Sequence, residues 1–376
     1  MKKILFITHD DFSGGSSRSL VAQIEFLKRE KKIDPVVITW KENSLTAYLR
    51  KQQIPCFALK YDFTSVWTQN CFLHQLKRPY YRLIYNYTAY CKLKKEIDFS
   101  EISLIVSNSS VIDFGAYLHR KLQIPHVWYL REFGDLDFNV LPYVKDFPRY
   151  IESNSDGIVA VSKAVARHWQ HRGIRKDIAV IYNGVSSNDV PLKEKNGLVK
   201  ICMCGRLCPA KGQFLAVEAM AKLPNSVLKN IRLDFYGVGE SEAKLKDLVK
   251  EYKLEKYIAF KGFSSSLDKE LMDYDVGLTL SKAEAFGRTT VEYMNHALFV
   301  IGSHSGGTPE LLQDGAFGNL VAPNSPEAVA SAIEEYYKNQ IECKKKAVCA
   351  QIYAKETFSV KTNAEKAFRF YEKFAR

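Results

Sequence analysis

Short apolar segments rich in β-branched and aromatic residues recur along the whole chain, and segments with apolar residues at helical spacing separate them. In the first half, strands are predicted at 4–8, 36–39, 104–107, 126–130, 157–161 and 180–182. In the second half, they are predicted at 200–204, 231–236, 258–261, 276–280, 299–302 and 319–322. Continuous apolar strands that alternate with helices are typical of parallel sheets covered by helices on both faces.

The alternation restarts near the middle of the 376-residue chain, a length that suits two domains. Turn residues end the last strand of the first half, and a polar stretch with Pro191 follows. We therefore expect an α/β fold of two Rossmann-like domains with parallel sheets facing a central cleft. The predicted parts are a first domain at 1–185, a linker at 186–198, a second domain at 199–355, and a C-terminal segment at 356–376.

The C-terminal segment predicts one amphipathic helix. Ser359 is of the residue type that caps a helix start, and an apolar stripe follows at helical spacing. The stripe consists of Ala364, Ala367, Phe368, Tyr371 and Phe374. We expect this helix to return to the first domain and to bury its aromatic residues there.

The start of the chain and its cysteines indicate a cytoplasmic protein. The apolar run after Met1 is short and ends in His9 and Asp10, so it predicts a buried strand rather than a signal peptide. No run of about 18 apolar residues predicts a membrane-spanning helix. Eight scattered cysteines suit a reducing compartment. Cys202, Cys204 and Cys208 cluster without a fourth metal ligand, which indicates core thiols.

A net charge of +12 fits partners such as nucleic acid, anionic lipid or phosphorylated substrates. Residues 63–95 contain no Asp or Glu, and a helix beginning at Pro79 would carry Tyr80, Leu83, Ile84, Tyr87 and Cys91 on one face. Its basic residues are Lys77, Arg78, Arg82, Lys92, Lys94 and Lys95. The pattern fits a core-packed helix or a helix at a membrane interface, and both interpretations stay open.

Glycine turns and cations follow the first strand of each half. Gly14 and Gly15 lie between a strand and a helix, where backbone can approach a ligand or form a tight turn. In the second half, Gly205 and Arg206 follow the strand directly, and Lys211 lies five residues further on. Both cations can bind phosphate, and they would neutralise a departing nucleoside diphosphate.

Two glutamates bracket a helix start in the second half. Glu284 follows the strand at 276–280, and Glu292 lies eight positions later, inside a helix that begins near Gly287. A carboxylate at 292 can accept hydrogen bonds from both hydroxyls of a ribose. The amides that can take a diphosphate belong to Phe286, Gly287, Arg288, Thr289 and Thr290. A further turn, with Gly306 and Gly307 before Pro309, can hold a phosphate or a sugar.

The order of these second-half motifs resembles the retaining GT-B glycosyltransferases of family 4, bacterial polysaccharide-assembly type. The resemblance covers nearly the whole chain. It implies that Arg206 and Lys211 bind the donor diphosphate, that Glu284 lies by the donor sugar, and that Glu292 binds the ribose. Arg206, Lys211 and Glu284 are therefore the candidate catalytic residues.

One region departs from the family pattern. Many members have a histidine on a loop of the first domain near the reacting centre, whereas this chain has Tyr129, Arg131 and Glu132 there. We assign these three residues to the acceptor side. Asp135 and Asp137 form an Asp-x-Asp triplet like that of metal-dependent transferases, but those enzymes have a different, single-domain fold, so no metal site is assigned.

The sequence thus predicts a nucleotide-sugar-dependent, metal-independent retaining glycosyltransferase without a resident cofactor. We expect a UDP-sugar rather than a GDP-sugar as donor, a glycan or lipid-linked glycan as acceptor, peripheral contact with the inner membrane face, and no nucleic acid. The alternatives are a catalytically silent nucleotide- or glycan-binding subunit, and a sugar-nucleotide epimerase or phosphorylase on the same fold. A nucleic-acid binder would leave the paired glutamates unexplained.

Overall fold

The computed structural model describes residues 1–12, 14–67, 72–187, 197–264 and 266–376, with side chains described throughout except at 66–67 and 72–79. The chain forms two compact units. The first consists of Met1–Gly184 together with Val360–Arg376, and the second consists of Val185–Ser359. Most of the linker predicted at 186–198 lies outside the described residues.

The first unit is built on a seven-stranded sheet in which all neighbouring strands are parallel. The strands of this unit are β1 (Lys2–Thr8), β2 (Ile33–Thr39), β3 (Cys56–Ala58), β4 (Ser65–Trp67), β5 (Ile102–Ser107), β6 (His126–Leu130), β7 (Val140–Pro142), β8 (Gly157–Ala160) and β9 (Ile178–Val180). Their order in the sheet is β3-β2-β1-β5-β6-β8-β9, and β4 and β7 form a separate antiparallel pair.

Helices connect these strands. They are α1 (Gly15–Arg29), α2 (Ser44–Lys51), α3 (Phe72–Leu93), α4 (Phe114–Leu122), α5 (Asp135–Phe138), α6 (Phe147–Ser153) and α7 (Lys163–His171). The prediction that α3 begins at Pro79 was wrong, because the helix already begins at Phe72. A proline removes only one helical hydrogen bond, which a helix of 22 residues tolerates.

The second unit has a six-stranded parallel sheet in the order β12-β11-β10-β13-β14-β15. Its strands are β10 (Val199–Cys204), β11 (Ile231–Tyr236), β12 (Ile258–Gly262), β13 (Val276–Thr279), β14 (Phe299–Ser303) and β15 (Gly318–Val321). Its helices are α8 (Gln213–Lys222), α9 (Asn225–Leu228), α10 (Glu242–Glu251), α11 (Leu267–Leu271), α12 (Arg288–Asn295), α13 (Thr308–Leu311), α14 (Pro326–Lys338) and α15 (Gln340–Thr357). The predicted α/β class with two parallel sheets is confirmed.

Burial on both faces explains why the strands read as continuous apolar runs. In β1, Ile4 and Phe6 join one hydrophobic cluster, while Leu5 and Ile7 join another on the opposite face of the sheet. The second cluster also contains Leu93 of α3. Among the helices in the described ranges, none combines the length and apolarity that crossing a bilayer requires.

The last helix, α16 (Val360–Glu372), belongs to the first unit. Tyr371 is fully buried, whereas Phe368 and Phe374 are only partly buried. The Tyr371 hydroxyl donates to Gln23 Oε1 on α1 at 3.0 Å and lies 2.9 Å from the Tyr129 hydroxyl on β6. Gln23 Nε2 in turn donates to Asn363 Oδ1 at 3.0 Å. A buried polar network therefore fixes α16 onto α1 and β6.

Replacing Tyr371 by Phe should destabilise the first unit, because it leaves the buried Tyr129 hydroxyl and Gln23 carbonyl with one hydrogen bond fewer. The expected loss is about 1–3 kcal/mol in the free energy of unfolding. Urea unfolding of wild type and variant measures it, and Tyr252→Phe, at a more exposed tyrosine of the second unit, is the control. Equal stability of Tyr371→Phe and wild type would show that the network does not hold the helix.

Candidate functional site

The carboxyl edge of the second sheet carries most of the predicted site residues. The strand order reverses at β10, whose neighbours are β11 on one side and β13 on the other. Ligands of open α/β sheets bind in the crevice that such a reversal leaves outside the strand ends. The segments that follow β10, β13 and β14 contain the predicted residues of this unit.

Lys211 and Glu284 form an ion pair across two of these segments. The Lys211 ammonium lies 2.8 Å from Glu284 Oε2, and the Ser281 hydroxyl donates to the same oxygen at 2.8 Å. Burial acts to raise the pKa of Glu284, but the charge and hydrogen bond of Lys211 outweigh it and hold that pKa below its usual value. The pair is therefore ionised, with both side chains oriented.

Arg206 has a different partner. Its side chain is 71% exposed, and its Nε is 3.1 Å from a carboxylate oxygen of Glu240. Exposed ion pairs of this kind contribute little to stability, so an incoming anion can replace Glu240 at small cost. The structure brings together two of the three candidate catalytic residues and gives the third a partner that the sequence analysis did not identify.

Glycines allow the loops of this edge to pack backbone against backbone. A Cβ on Gly306 would lie 2.3 Å from the carbonyl oxygen of Glu284, and the Gly307 amide donates to that oxygen at 2.7 Å. A Cβ on Gly237 would lie 2.0 Å from the carbonyl oxygen of Gly205. The sequence analysis missed the turn at Gly237, although a glycine directly after β11 was the available signal.

The start of α12 offers backbone amides to an anion. Gly287 precedes the helix with φ +90°, no side chain caps it, and its first turn has no acidic residue. Phe286 and Thr290 are buried, so these two residues can contribute to a site only through their backbone. Arg288 and Thr289 are partly buried. The remaining partial positive charge favours a phosphate.

Glu292 lies one turn further along α12. Its carboxylate is 3.7 Å from the Arg288 guanidinium, and both side chains are largely buried. A carboxylate held in this way has acceptor capacity left, since each oxygen has two lone pairs. Glu292 can therefore accept hydrogen bonds from a diol.

The carboxylate of Asp10 lies beside the predicted glycine turn of the first unit. The Ser16 hydroxyl donates to the Asp10 carboxylate, and a Cβ on Gly14 would lie 3.2 Å from Asp10 Cβ. Gly15 is the first residue of α1. A phosphate at this turn would meet the negative charge of Asp10.

Two of the three residues assigned to the acceptor side are buried and hydrogen bonded within the protein. Tyr129 is 1% exposed and is hydrogen bonded to Tyr371. Glu132 is 7% exposed and accepts hydrogen bonds from both Ser109 and Ser110 at 2.6–2.7 Å. Neither side chain is presented to a substrate, because both are satisfied in the interior. Arg131 is only partly buried.

Both aspartates of the Asp-x-Asp triplet also have partners within the protein. Asp135 lies 2.9 Å from His168 Nε2, and Asp137 accepts the amides of Phe133 and Gly134 at 2.9 and 2.8 Å. Burial raises the pKa of Asp137 to about 6. Within the described ranges, no group of three or more His, Cys, Asp or Glu side chains is arranged to hold a metal ion.

Two family models match the chain, one for each half. The model described as Glycosyltransferase Family 4 matches residues 13–189, and the model described as Glycosyl transferases group 1 matches residues 187–355. The second match contains Arg206, Lys211, Glu284 and Glu292.

The chain is also similar to curated proteins of bacteria and archaea. An uncharacterized glycosyltransferase of Methanocaldococcus jannaschii is 27% identical over 251 residues, which are 61% of this chain and 62% of that protein. The N-acetyl-alpha-D-glucosaminyl L-malate synthase of Bacillus anthracis is 25% identical over 265 residues, 65% of this chain and 69% of the relative.

Solved structures of similar fold cover the whole length. The Anabaena protein HepE, solved in complex with UDP-glucose, has a TM-score of 0.77 at 22% identity, and the alignment covers 99% of each chain. The lipopolysaccharide outer core galactosyltransferase WaaB has a TM-score of 0.73 at 17% identity, covering 98% of this chain and 99% of WaaB. These structural matches show the GT-B fold. Because the two family models together match residues 13–355, the chain belongs to the glycosyltransferases of group 1 and family 4.

Proposed function

We propose that this glycosyltransferase moves a sugar from a UDP-sugar to a hydroxyl of a glycan acceptor, with retention of anomeric configuration and without a metal ion. The observation that carries the proposal is the Lys211–Glu284 pair beside the uncapped start of α12. The UDP-glucose complex of HepE supports the choice of nucleotide, and retention rests on the family resemblance.

The second unit contributes the donor chemistry. When the bond between the anomeric carbon and the diphosphate oxygen breaks, negative charge develops on the departing diphosphate. Lys211, Arg206 and the first amides of α12 supply positive charge that is already oriented, which lowers the energy of that transition state. Glu292 holds the ribose hydroxyls, and Glu284 lies by the sugar while it keeps Lys211 in place.

Removing either cation should slow turnover more than it weakens donor binding. Arg206→Ala and Lys211→Ala are each expected to lower kcat by roughly 100-fold or more, by analogy with the loss of one oxyanion-stabilising donor. Glu292→Ala should mainly raise the dissociation constant of UDP. Calorimetric titration with UDP and steady-state kinetics with a panel of UDP-sugars measure these effects.

The matched control is Lys222→Ala, which removes an exposed lysine that pairs with Glu327 in the same unit. It should leave both kcat and UDP affinity unchanged. If UDP binding and turnover survive in Arg206→Ala, Lys211→Ala and Glu292→Ala, the donor site lies elsewhere.

Turnover should persist in a chelator, because the proposed site neutralises the diphosphate with protein groups. The measurement is the initial rate in EDTA, with and without added Mg²⁺ or Mn²⁺. Complete loss of activity that a divalent ion restores would contradict metal independence and would direct attention to Asp135 and Asp137.

The acceptor side of the proposal concerns the outer face of α3. Tyr80, Leu83 and Tyr87 are 69, 68 and 53% exposed, and Ile84 adjoins them at 37%. These residues follow helical spacing and form one outward apolar stripe, whereas Ala89 and Leu93 pack into the core. Of the two interpretations left open by the sequence, these exposures favour the interfacial one.

A buried ion pair holds α3 on the unit. Arg82 donates to both carboxylate oxygens of Asp113 at 2.6 and 2.8 Å, and Asn86 donates to Asp113 at 2.7 Å. Arg82 is therefore not a free surface charge. The side chains of Lys77 and Arg78 lie outside those described.

Three exposed lysines lie at the end of α3 and just beyond it, namely Lys92, Lys94 and Lys95. A helix that presents tyrosines and leucine flanked by lysines suits the interface of an anionic membrane. We propose that this face docks on the membrane and that the acceptor glycan is carried by a lipid.

Replacing Lys92, Lys94 and Lys95 by Gln should weaken binding to anionic vesicles at low salt. At about 1 kcal/mol for each lysine near the surface, the partition coefficient should fall on the order of a hundredfold. Co-sedimentation with vesicles containing phosphatidylserine measures it, and added salt should lower wild-type binding.

The matched control replaces Lys344, Lys345 and Lys346, three exposed lysines of α15, by Gln, which changes the net charge equally. This variant should bind vesicles as wild type does. Equal binding of both triple variants, or no vesicle binding by wild type at low salt, would remove the membrane part of the proposal and leave glycosyl transfer untouched.

A further inference from the structure

Arg131 occupies a ligand-binding position in the first sheet. It follows the last residue of β6, and Asn108 follows the last residue of the neighbouring β5. The strand order of this sheet reverses between β1 and β5, so the crevice expected for a ligand opens outside the ends of β1 and β5, next to the end of β6. Arg131 contributes a cation to that edge.

The hydrogen bonds of Arg131 orient its guanidinium toward neutral partners and place no carboxylate against it. Nε donates to Asn108 Oδ1 at 2.6 Å, and a terminal nitrogen donates to Asn183 Oδ1 at 2.5 Å. Both acceptors are neutral amide oxygens. Among the described residues, no carboxylate forms an ion pair with Arg131.

The two neighbouring acidic residues, Glu132 and Asp10, have other direct partners. The Glu132 carboxylate accepts hydrogen bonds from Ser109 and Ser110. The Asp10 carboxylate accepts from Ser16 and lies 3.2 Å from His9 Nε2. Burial lowers the pKa of Arg131, yet a guanidinium stays protonated in a protein. A partly buried cation therefore remains at this edge without a carboxylate in direct ion-pair contact, although the charges of Glu132 and Asp10 act on it from further away.

The two asparagines make the position rigid. The backbone amide of Asn108 donates to the Ile7 carbonyl at 2.9 Å, and the side-chain Nδ2 of Asn108 donates to Thr8 Oγ1 at 3.3 Å. Asn108 and Asn183 are both buried. Since two of the five N–H groups of Arg131 are used in this way, the others can bind an oxyanion in the planar geometry that a guanidinium favours.

We propose that Arg131 binds a phosphate or carboxylate group of the acceptor, so that the enzyme selects an anionic acceptor. The inference rests on the proposed function, because it assigns the diphosphate of the donor to the second unit and this anion to the first. Arg131 is then a specificity-determining residue. A purely structural role, in which Arg131 only ties strand ends together through Asn108 and Asn183, is the alternative.

Asn183→Asp separates the two roles. The aspartate keeps the oxygen that accepts from Arg131 and adds the missing negative charge, so a structural contact would be preserved or strengthened. Anion binding would instead be lost, because the new carboxylate neutralises Arg131. Arg131→Gln removes the cation directly, and Gln52→Glu adds one negative charge at an exposed site of the same unit as the control.

The experiment is calorimetric titration of inorganic phosphate into full-length protein saturated with UDP, so that the donor site is filled. We expect phosphate to bind wild type and Gln52→Glu alike. Asn183→Asp and Arg131→Gln should each bind phosphate at least tenfold more weakly, while the melting temperature of Asn183→Asp stays at or above that of wild type.

Equal phosphate affinity in Asn183→Asp, Arg131→Gln and wild type would overturn the proposal. It would also be overturned if wild type bound phosphate only in the absence of UDP, since the anion site would then be the donor site, or if wild type bound no phosphate at all. The failure of UDP itself to bind, titrated without phosphate, would instead count against the proposed function.

Discussion

Close approach of backbone to backbone at the carboxyl edge of the second sheet is the constraint on which the candidate site depends. The turn at Gly306 and Gly307 lies against the carbonyl of Glu284, and the turn at Gly237 lies against that of Gly205. A side chain at Gly306 or Gly237 would have to displace backbone rather than a flexible side chain. This packing fixes the loops in which Lys211 and Glu284 meet, and the ion pair then orients the two groups that the proposed chemistry needs.

In the first unit, hydrogen bonds among buried side chains hold distant elements together. Tyr129, Tyr371, Gln23 and Asn363 form a buried network that joins β6, α1 and α16, so residues more than 200 positions apart are held together by a few hydrogen bonds. Such networks specify one arrangement when every member is satisfied. Arg131 lies two residues after Tyr129, with its guanidinium 4.8 Å from that ring, so the same strand serves the core and the strand-end crevice.

Much of the fold could be predicted because strands buried on both faces read as continuous apolar runs, and turn residues mark their ends. Of the three-residue strands among the described residues, β3, β4 and β7 were missed and β9 was predicted with shifted bounds, since so short a segment shows little periodicity. In the second unit, the glycine and glutamate motifs lie next to strand ends, so the sequence and the family resemblance assigned Lys211 and Glu284 to one donor site, although their ion pair was not predicted. The partner of Arg206 could not be predicted, because Glu240 comes from a separate loop.

Tyr129 shows where local sequence is insufficient. Its place where the family pattern has a histidine suggested an acceptor contact, but the direction of its hydroxyl depends on Tyr371, a residue of the last helix. The stripe on α3 had a similar ambiguity, because a helical apolar pattern is the same whether it faces a core or a membrane. The packing of Asn86 and Arg82 against Asp113, together with the burial of Ala89 and Leu93, shows which face of α3 points inward.

The central claim is that the second unit binds the donor through Lys211, Arg206 and the start of α12. A crystal structure of the full-length protein with UDP tests it most directly. The account predicts that the diphosphate lies at the first amides of α12 within ion-pair distance of Lys211 and Arg206, with the ribose hydroxyls on Glu292. UDP bound in the first unit alone, or at the second sheet without contact to Lys211 and α12, would contradict it.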